Sequence, residues 1–260
     1  MARLTKLEFK ERLYRRRYLL PNSVTLGSMF CGFLSIIYSS SGRFEKAAVA
    51  IGIAIILDGL DGRVARRFNA TSRFGVEFDS FSDLVSFGVA PAILMYNWCF
   101  RLPADEFGVL ISFVFALCAA SRLARFNLAD ENLAHFTGLP TPGAAAVVAA
   151  TVNYAAYPQA TVFMIAASTA LMLSLSYLMV SRYEFVSIKK VKVAKMRLFL
   201  RVMIGAAIAL IWYRFDIGFL LLSLGYLVST PAWKIGRRFI ENTPLEELEI
   251  DRDRRPANGG

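Results

Sequence analysis

Apolar runs of about 18–23 residues follow one another along almost the whole of this 260-residue chain, and 56% of its residues are hydrophobic. Each run approaches the ~20 residues that a helix needs to cross the hydrocarbon core of a bilayer. They fall at about 22–40, 45–66, 77–99, 105–125, 139–156, 159–181, 197–214 and 216–235. A large soluble helical protein would need a polar face on most of its helices, and these segments lack one. The expected fold is therefore an all-α polytopic membrane protein of about eight transmembrane helices.

The basic residues test this topology. With an even number of spans both termini share one side, and 26 of the 30 Lys and Arg residues then fall on that side. Only Arg43, Lys46, Arg101 and Arg214 fall on the other. The positive-inside rule makes the crowded side, with both termini, cytoplasmic. A net charge of +10 could suggest nucleic acid. Here it is read as orientation and as attraction to anionic headgroups, so no nucleic acid is expected. The N-terminal run Lys10–Arg17 reads as a juxtamembrane segment, without the small-residue cleavage site of a signal peptide. Cys31, Cys99 and Cys118 show no metal-ligand spacing. Trp98, Trp212 and Trp233 fall near span ends, where they suit interfacial anchors. The single histidine, His135, reads as a surface loop residue.

One stretch breaks the apolar pattern. It runs Asp58-Gly59-Leu60-Asp61-Gly62, then Ala65-Arg66, then Gly75, Asp79 and Asp83. Asp58 and Asp61 are three apart, and Asp79 and Asp83 four apart, so each pair shares one helix face, with Glu77 pointing elsewhere. Carboxylates inside a membrane are costly and mark a function. Four that converge repel one another unless cations neutralise them, and the expected site holds two divalent metals. Gly59, Gly62 and Ala65 lie among the acids, where small residues permit either close helix packing or close approach of a ligand. The second is favoured by the interleaving.

The spacing of Asp58, Asp61, Gly62, Ala65, Arg66, Gly75, Asp79 and Asp83 resembles the signature of the CDP-alcohol phosphatidyltransferase family, with Gly59 as a further match. Three more stretches make the chain most similar to the members that use L-serine as acceptor. These are Leu20–Thr25, Ser121–Asn127 and Phe136–Pro142. The resemblance covers about residues 20–180. It implies a six-helix core and transfer of a phosphatidyl group from CDP-diacylglycerol to the serine hydroxyl, with release of CMP. It implies Asp58, Asp61, Asp79 and Asp83 as ligands of two Mg²⁺ or Mn²⁺ ions, and Asp83 also as general base. Gly59, Gly62, Ala65, Arg66 and Gly75 match the nucleotide cradle, with Asn22 and Thr25 in support, either at the nucleotide or behind the metal ligands. Read locally, Asn22 and Thr25 could instead cap the first span.

Arg122 and Arg125 end the fourth span. They can snorkel to the interface, or recognise the carboxylate of a free amino acid by a two-pronged hydrogen bond. The second role, with Asn127 as accessory, is the expectation carried here. A basic segment is expected at 1–20, the catalytic core at 21–181 and a basic loop at 182–196. A final helix pair at 197–235 and a polar tail at 236–260 complete the organisation. The expected setting is a bacterial inner membrane, with a cytoplasmic-facing site in a homodimer. Alternatives are a sibling enzyme taking glycerol 3-phosphate or inositol phosphate, or a divalent-cation transporter with its acids near the midplane.

Overall fold

The computed structural model describes residues 19–67, 72–101, 105–128, 138–155, 157 and 161–181. Helix α1 (Leu19–Ser40) is followed by α2 (Phe44–Arg67) and α3 (Arg73–Asp83). The chain then continues through a π-helical turn (Leu84–Val89) into α4 (Ala90–Met95) and a second π-helical turn (Tyr96–Phe100). Helices α5 (Asp105–Leu128), α6 (Thr141–Tyr154) and α7 (Val162–Val180) complete the described residues, which contain no strand. Counting α3 through the second π turn as one rod, six rods run up and down. They coincide with the first six spans expected from the sequence. The segments at 182–196, 197–235 and 236–260, and most of the N-terminal segment, lie outside the described residues.

Helix α1 shows why these helices pack as they do. Its inward face carries Thr25, Ser28, Gly32, Ser35 and Ser39, all buried. Its outward face carries Leu26, Phe30, Phe33 and Ile37, all exposed. Polar-in and apolar-out reverses the pattern of a soluble helix and suits a hydrocarbon solvent. Lipid tails supply no hydrophobic drive for helix association, so small residues and hydrogen bonds hold the bundle. Ala47, Ala48 and Ala54 of α2 lie in one core with Ala144, Ala145 and Ala149 of α6. Among the described residues, four helical segments have the length and composition to cross a membrane: Pro21–Ser40, Phe74–Phe100, Glu106–Leu128 and Val162–Val180. Helix α2 carries its charged end within the helix, and α6 has only 14 residues. The protein is an all-α polytopic membrane protein, and the eight-span count extends beyond the described residues.

The third rod is tied to α1 by two serines a helical turn apart. Ser82 Oγ donates to the Thr25 carbonyl at 3.1 Å, and Ser86 Oγ donates to the Ser28 carbonyl at 3.1 Å. Ser28 in turn donates to the Ala54 carbonyl of α2 at 3.1 Å. Pro91 lacks an N–H and cannot complete a regular ladder, which fits the π turn just before it. The approach of α1 to this turn is close. A Cβ on Gly32 would lie 2.7 Å from Ser86 Cα. Gly32→Ala is therefore expected to destabilise the bundle by about 1–3 kcal/mol, read as a lower unfolding temperature in detergent. An unchanged midpoint would show that the two rods can separate freely.

At the opposite end of the rod, Trp98 corrects the anchor expectation. Its ring is buried, and Nε1 donates to the Ala155 carbonyl at 2.8 Å, tying the rod to the end of α6. An indole with an internal acceptor can be buried in the core.

Candidate functional site

The acidic residues gather at the end of the bundle where α1, α3 and α6 begin and α2, α5 and α7 finish. Asp58, Asp61 and Asp79 each offer a carboxylate oxygen, and these oxygens lie within 4.8 Å of one another. Two helices thus supply one cluster, as the three- and four-residue spacings require. Asp83, the last residue of α3, stands outside that group of three and meets the Asp58 carboxyl side chain to side chain. Asp61 is buried, and the other three are partly buried. Glu77 is exposed on another face of α3. A set of hard oxygens this close fits a divalent cation, whose charge offsets the repulsion among them. The donor set contains no Cys or His, so it favours Mg²⁺ or Mn²⁺ chemistry over a soft-metal site.

The structure changes the reading of Asn22 and Thr25. The chain is already helical at Leu19, so neither is the cap of α1. Thr25 is buried, and its Oγ1 lies 3.0 Å from Asp61 Oδ2 and 3.1 Å from the Pro21 carbonyl. Asn22 lies beside the start of α3, its Oδ1 3.3 Å from where a Gly75 side chain would begin. The Ser72 hydroxyl caps α3, accepting from the Gly75 N–H at 3.0 Å. A larger residue at 75 would press on both Asn22 and this cap.

Gly59 is exposed, with no atom within 4 Å of the position of an added Cβ. Among the described residues no other helix packs against it. Gly62 lies one position past Asp61 and is partly buried. Ala65 and Arg66 belong to the last turn of α2, and their side chains lie outside the described residues.

Arg122, Arg125 and Asn127 occupy the same end of the bundle. Arg122 Nη1 reaches Thr141 Oγ1 at 3.4 Å, where α6 begins. Arg125 Nη2 donates to the Val180 carbonyl at 2.9 Å, satisfying a carbonyl at the end of α7. A cation there also complements the helix dipole. The Leu139 N–H donates to the Leu178 carbonyl at 3.0 Å, and Gly138, with φ +89°, passes too close to Met179 for a side chain. Asn127 Nδ2 donates to Ser80 Oγ at 2.9 Å, next to Asp79 in sequence. Sequence reasoning missed Ser80 and Ser82. Both sit between the acids at positions that the motif leaves unspecified, so spacing gave no signal for them.

Comparison with known proteins bears on the same residues. The profile of the family described as CDP-alcohol phosphatidyltransferase matches residues 18–230. The chain is 45% identical over 133 residues to the CDP-diacylglycerol–serine O-phosphatidyltransferase of Helicobacter pylori strain J99, a match covering 50% of this chain and 56% of that protein. The enzyme of that name from Bacillus subtilis strain 168 is 36% identical over 172 residues, covering 66% of this chain and 92% of its own length. An archaetidylserine synthase from Methanothermobacter thermautotrophicus is 36% identical over 171 residues, covering 64% of this chain and 69% of its own.

Proposed function

The chain belongs to the CDP-alcohol phosphatidyltransferase family, and from that premise we propose that it transfers a phosphatidyl group from CDP-diacylglycerol to the hydroxyl of L-serine. The observation that carries the reading is the cluster of Asp58, Asp61 and Asp79 with Asp83 against it. The names of the similar proteins favour serine as acceptor. In this reading Asp58, Asp61, Asp79 and Asp83 hold two divalent ions, Mg²⁺ or Mn²⁺. When bound, the ions polarise the phosphoryl oxygens and stabilise the departing CMP.

The chain's own groups then do four things. The carboxylates of α2 and α3 fix where the pyrophosphate sits. The open surface at Gly59, with Gly62, Ala65, Arg66 and Gly75, admits the nucleotide, and Asn22 borders it at the start of α3. Asp83 takes the proton of the serine hydroxyl as its oxygen bonds to the phosphatidyl phosphorus and the bond from that phosphorus to CMP breaks. Such a positioned base contributes roughly 10²–10⁴-fold. Arg122 and Arg125, with Asn127 beside Ser80, receive the carboxylate of the incoming amino acid. The excess of basic residues at this end supports a cytoplasmic-facing site, and the bacterial relatives support a bacterial inner membrane. The resemblance also supports a homodimer.

The testing experiment gives the purified full chain CDP-diacylglycerol, Mn²⁺ and one alcohol at a time, and scores CMP release. Release with serine alone is expected. Preference for glycerol 3-phosphate or inositol phosphate would move the protein to a sibling activity, and no release with any alcohol would remove the enzyme reading. Arg122→Ala and Arg125→Ala are expected to raise the KM for serine about tenfold or more, from ~1.5–3 kcal/mol per charged hydrogen bond, and to change the KM for the liponucleotide less. Equal effects on both substrates would place these arginines at the phosphates. Arg125→Ala should also lower thermal stability, because it releases the Val180 carbonyl.

A further inference from the structure

We infer that Thr25 is a positioning residue that holds the two acidic pairs in register, and that Ser82 is its partner on α3. The inference rests on reading the aspartates as a metal site. Helix α1 contains no acidic residue, yet it packs along both acid-bearing helices, whereas α2 and α3 meet each other only slightly. The alignment of Asp58 and Asp61 with Asp79 and Asp83 therefore runs through α1. Thr25 and Ser28 of α1 are each hydrogen-bonded in both directions, and of the two it is Thr25 whose side chain meets an acid. Its side chain reaches α2, with Oγ1 3.0 Å from Asp61 Oδ2. Its carbonyl accepts from Ser82 Oγ of α3 at 3.1 Å. Both residues are almost wholly buried, at 5% and 1% exposed.

The hydroxyl has one proton and two acceptors within reach, the Asp61 carboxylate and the Pro21 carbonyl. A bond to an ionised carboxylate is about twice as strong as one to a neutral acceptor, so the proton goes to Asp61 whenever that group is charged. The bond engages Oδ2 and restricts rotation of a carboxylate that belongs to the cluster. Ser82 lies between Asp79 and Asp83 in the sequence. Its bond to the Thr25 carbonyl fixes the height of α3 against the same turn of α1. One residue thus sets the orientation of a ligand on α2 and the axial position of the pair on α3. Of the two supporting roles that the sequence leaves open for Thr25, this is the one behind a metal ligand and not the one at the nucleotide.

Loss of a group that orients a metal ligand typically costs 10–100-fold in metal affinity. The test uses the full chain in lipid nanodiscs, with Mn²⁺ binding followed by electron paramagnetic resonance and CMP release measured against Mn²⁺ concentration. Thr25→Val keeps the shape and removes the hydroxyl, and is expected to weaken Mn²⁺ binding about tenfold or more. Thr25→Ser keeps the donor and is expected to stay within about threefold of wild type. Ser82→Ala should give a smaller loss, and the double variant less than the product of the two, because both act through one segment. Unchanged Mn²⁺ binding in Thr25→Val overturns the inference, as does an equal loss in Thr25→Ser, which would assign the effect to packing. A loss confined to CDP-diacylglycerol affinity overturns it too, and makes Thr25 a nucleotide contact. Wild-type protein that binds no Mn²⁺ overturns the metal reading itself and the inference with it.

Discussion

Replacing Asp58, Asp61 or Asp79 by alanine is expected to abolish CMP release in each case and to leave the protein in the membrane. The three oxygens lie within 4.8 Å of one another, so they share whatever cation they hold. Removing one lowers the charge and the ligand count for the other two together. Metal stabilisation of phosphoryl charge is worth several kcal/mol, and its loss leaves well under a tenth of the activity. Mn²⁺ binding should fall in parallel in all three variants. Asp61→Ala has a second consequence, since it strips the buried Thr25 hydroxyl of its charged acceptor. Its unfolding midpoint should therefore move more than those of the other two. More than about a tenth of the activity surviving in any two variants would contradict a shared metal site.

The aspartates were legible because their message is one-dimensional. A three- or four-residue spacing puts two side chains on one helix face whatever the rest of the bundle does. The antiparallel run of two helices close in sequence then brings the two faces to the same end. The six rods of the core were legible for a similar reason, since length and apolarity decide which segments can lie in a bilayer. What could not be read was the role of α1. Its residues are apolar enough to mark a span, and nothing in their order says that the Thr25, Ser28 and Gly32 face would receive Ser82 and Ser86. Such contacts join residues some sixty positions apart and depend on a π turn. Pro91 hints at that turn but does not locate it.

The structure corrects the anchor reading of Trp98 and the cap reading of Thr25, for different reasons. Trp98 sits near a span end, as an interfacial anchor would, but an acceptor at Ala155 allows it to be buried in the bundle. Thr25 follows Pro21 and Asn22 in a stretch that looks like a helix start, but the helix begins earlier and the hydroxyl turns to Asp61. Hydrogen-bonding side chains near a span end have several places to go, and only packing selects among them. The arginines of α5 illustrate the same limit. Arg125 ties α7 to α5 through Val180, and that contact coexists with any role toward an acceptor.

Asp83→Asn is expected to separate metal and liponucleotide binding from proton abstraction. Asp83 stands one helical turn beyond Asp79, outside the three-oxygen group and against Asp58. Three ligands therefore remain in place when it is altered. The amide keeps the shape and one oxygen, so CDP-diacylglycerol and at least one metal ion should still bind, though more weakly. It cannot accept the hydroxyl proton of serine at any useful pH. Turnover should accordingly fall by roughly 10²–10⁴-fold, the contribution typical of a positioned general base. Alanine at position 58, 61 or 79 should instead remove metal binding and turnover together, so the pattern across the four variants distinguishes ligand from base. The measurement is CDP-diacylglycerol affinity, Mn²⁺ binding and CMP release on one preparation across a pH series. Turnover that survives with an unchanged pH profile would make Asp83 a ligand alone and require the serine proton to leave by another group.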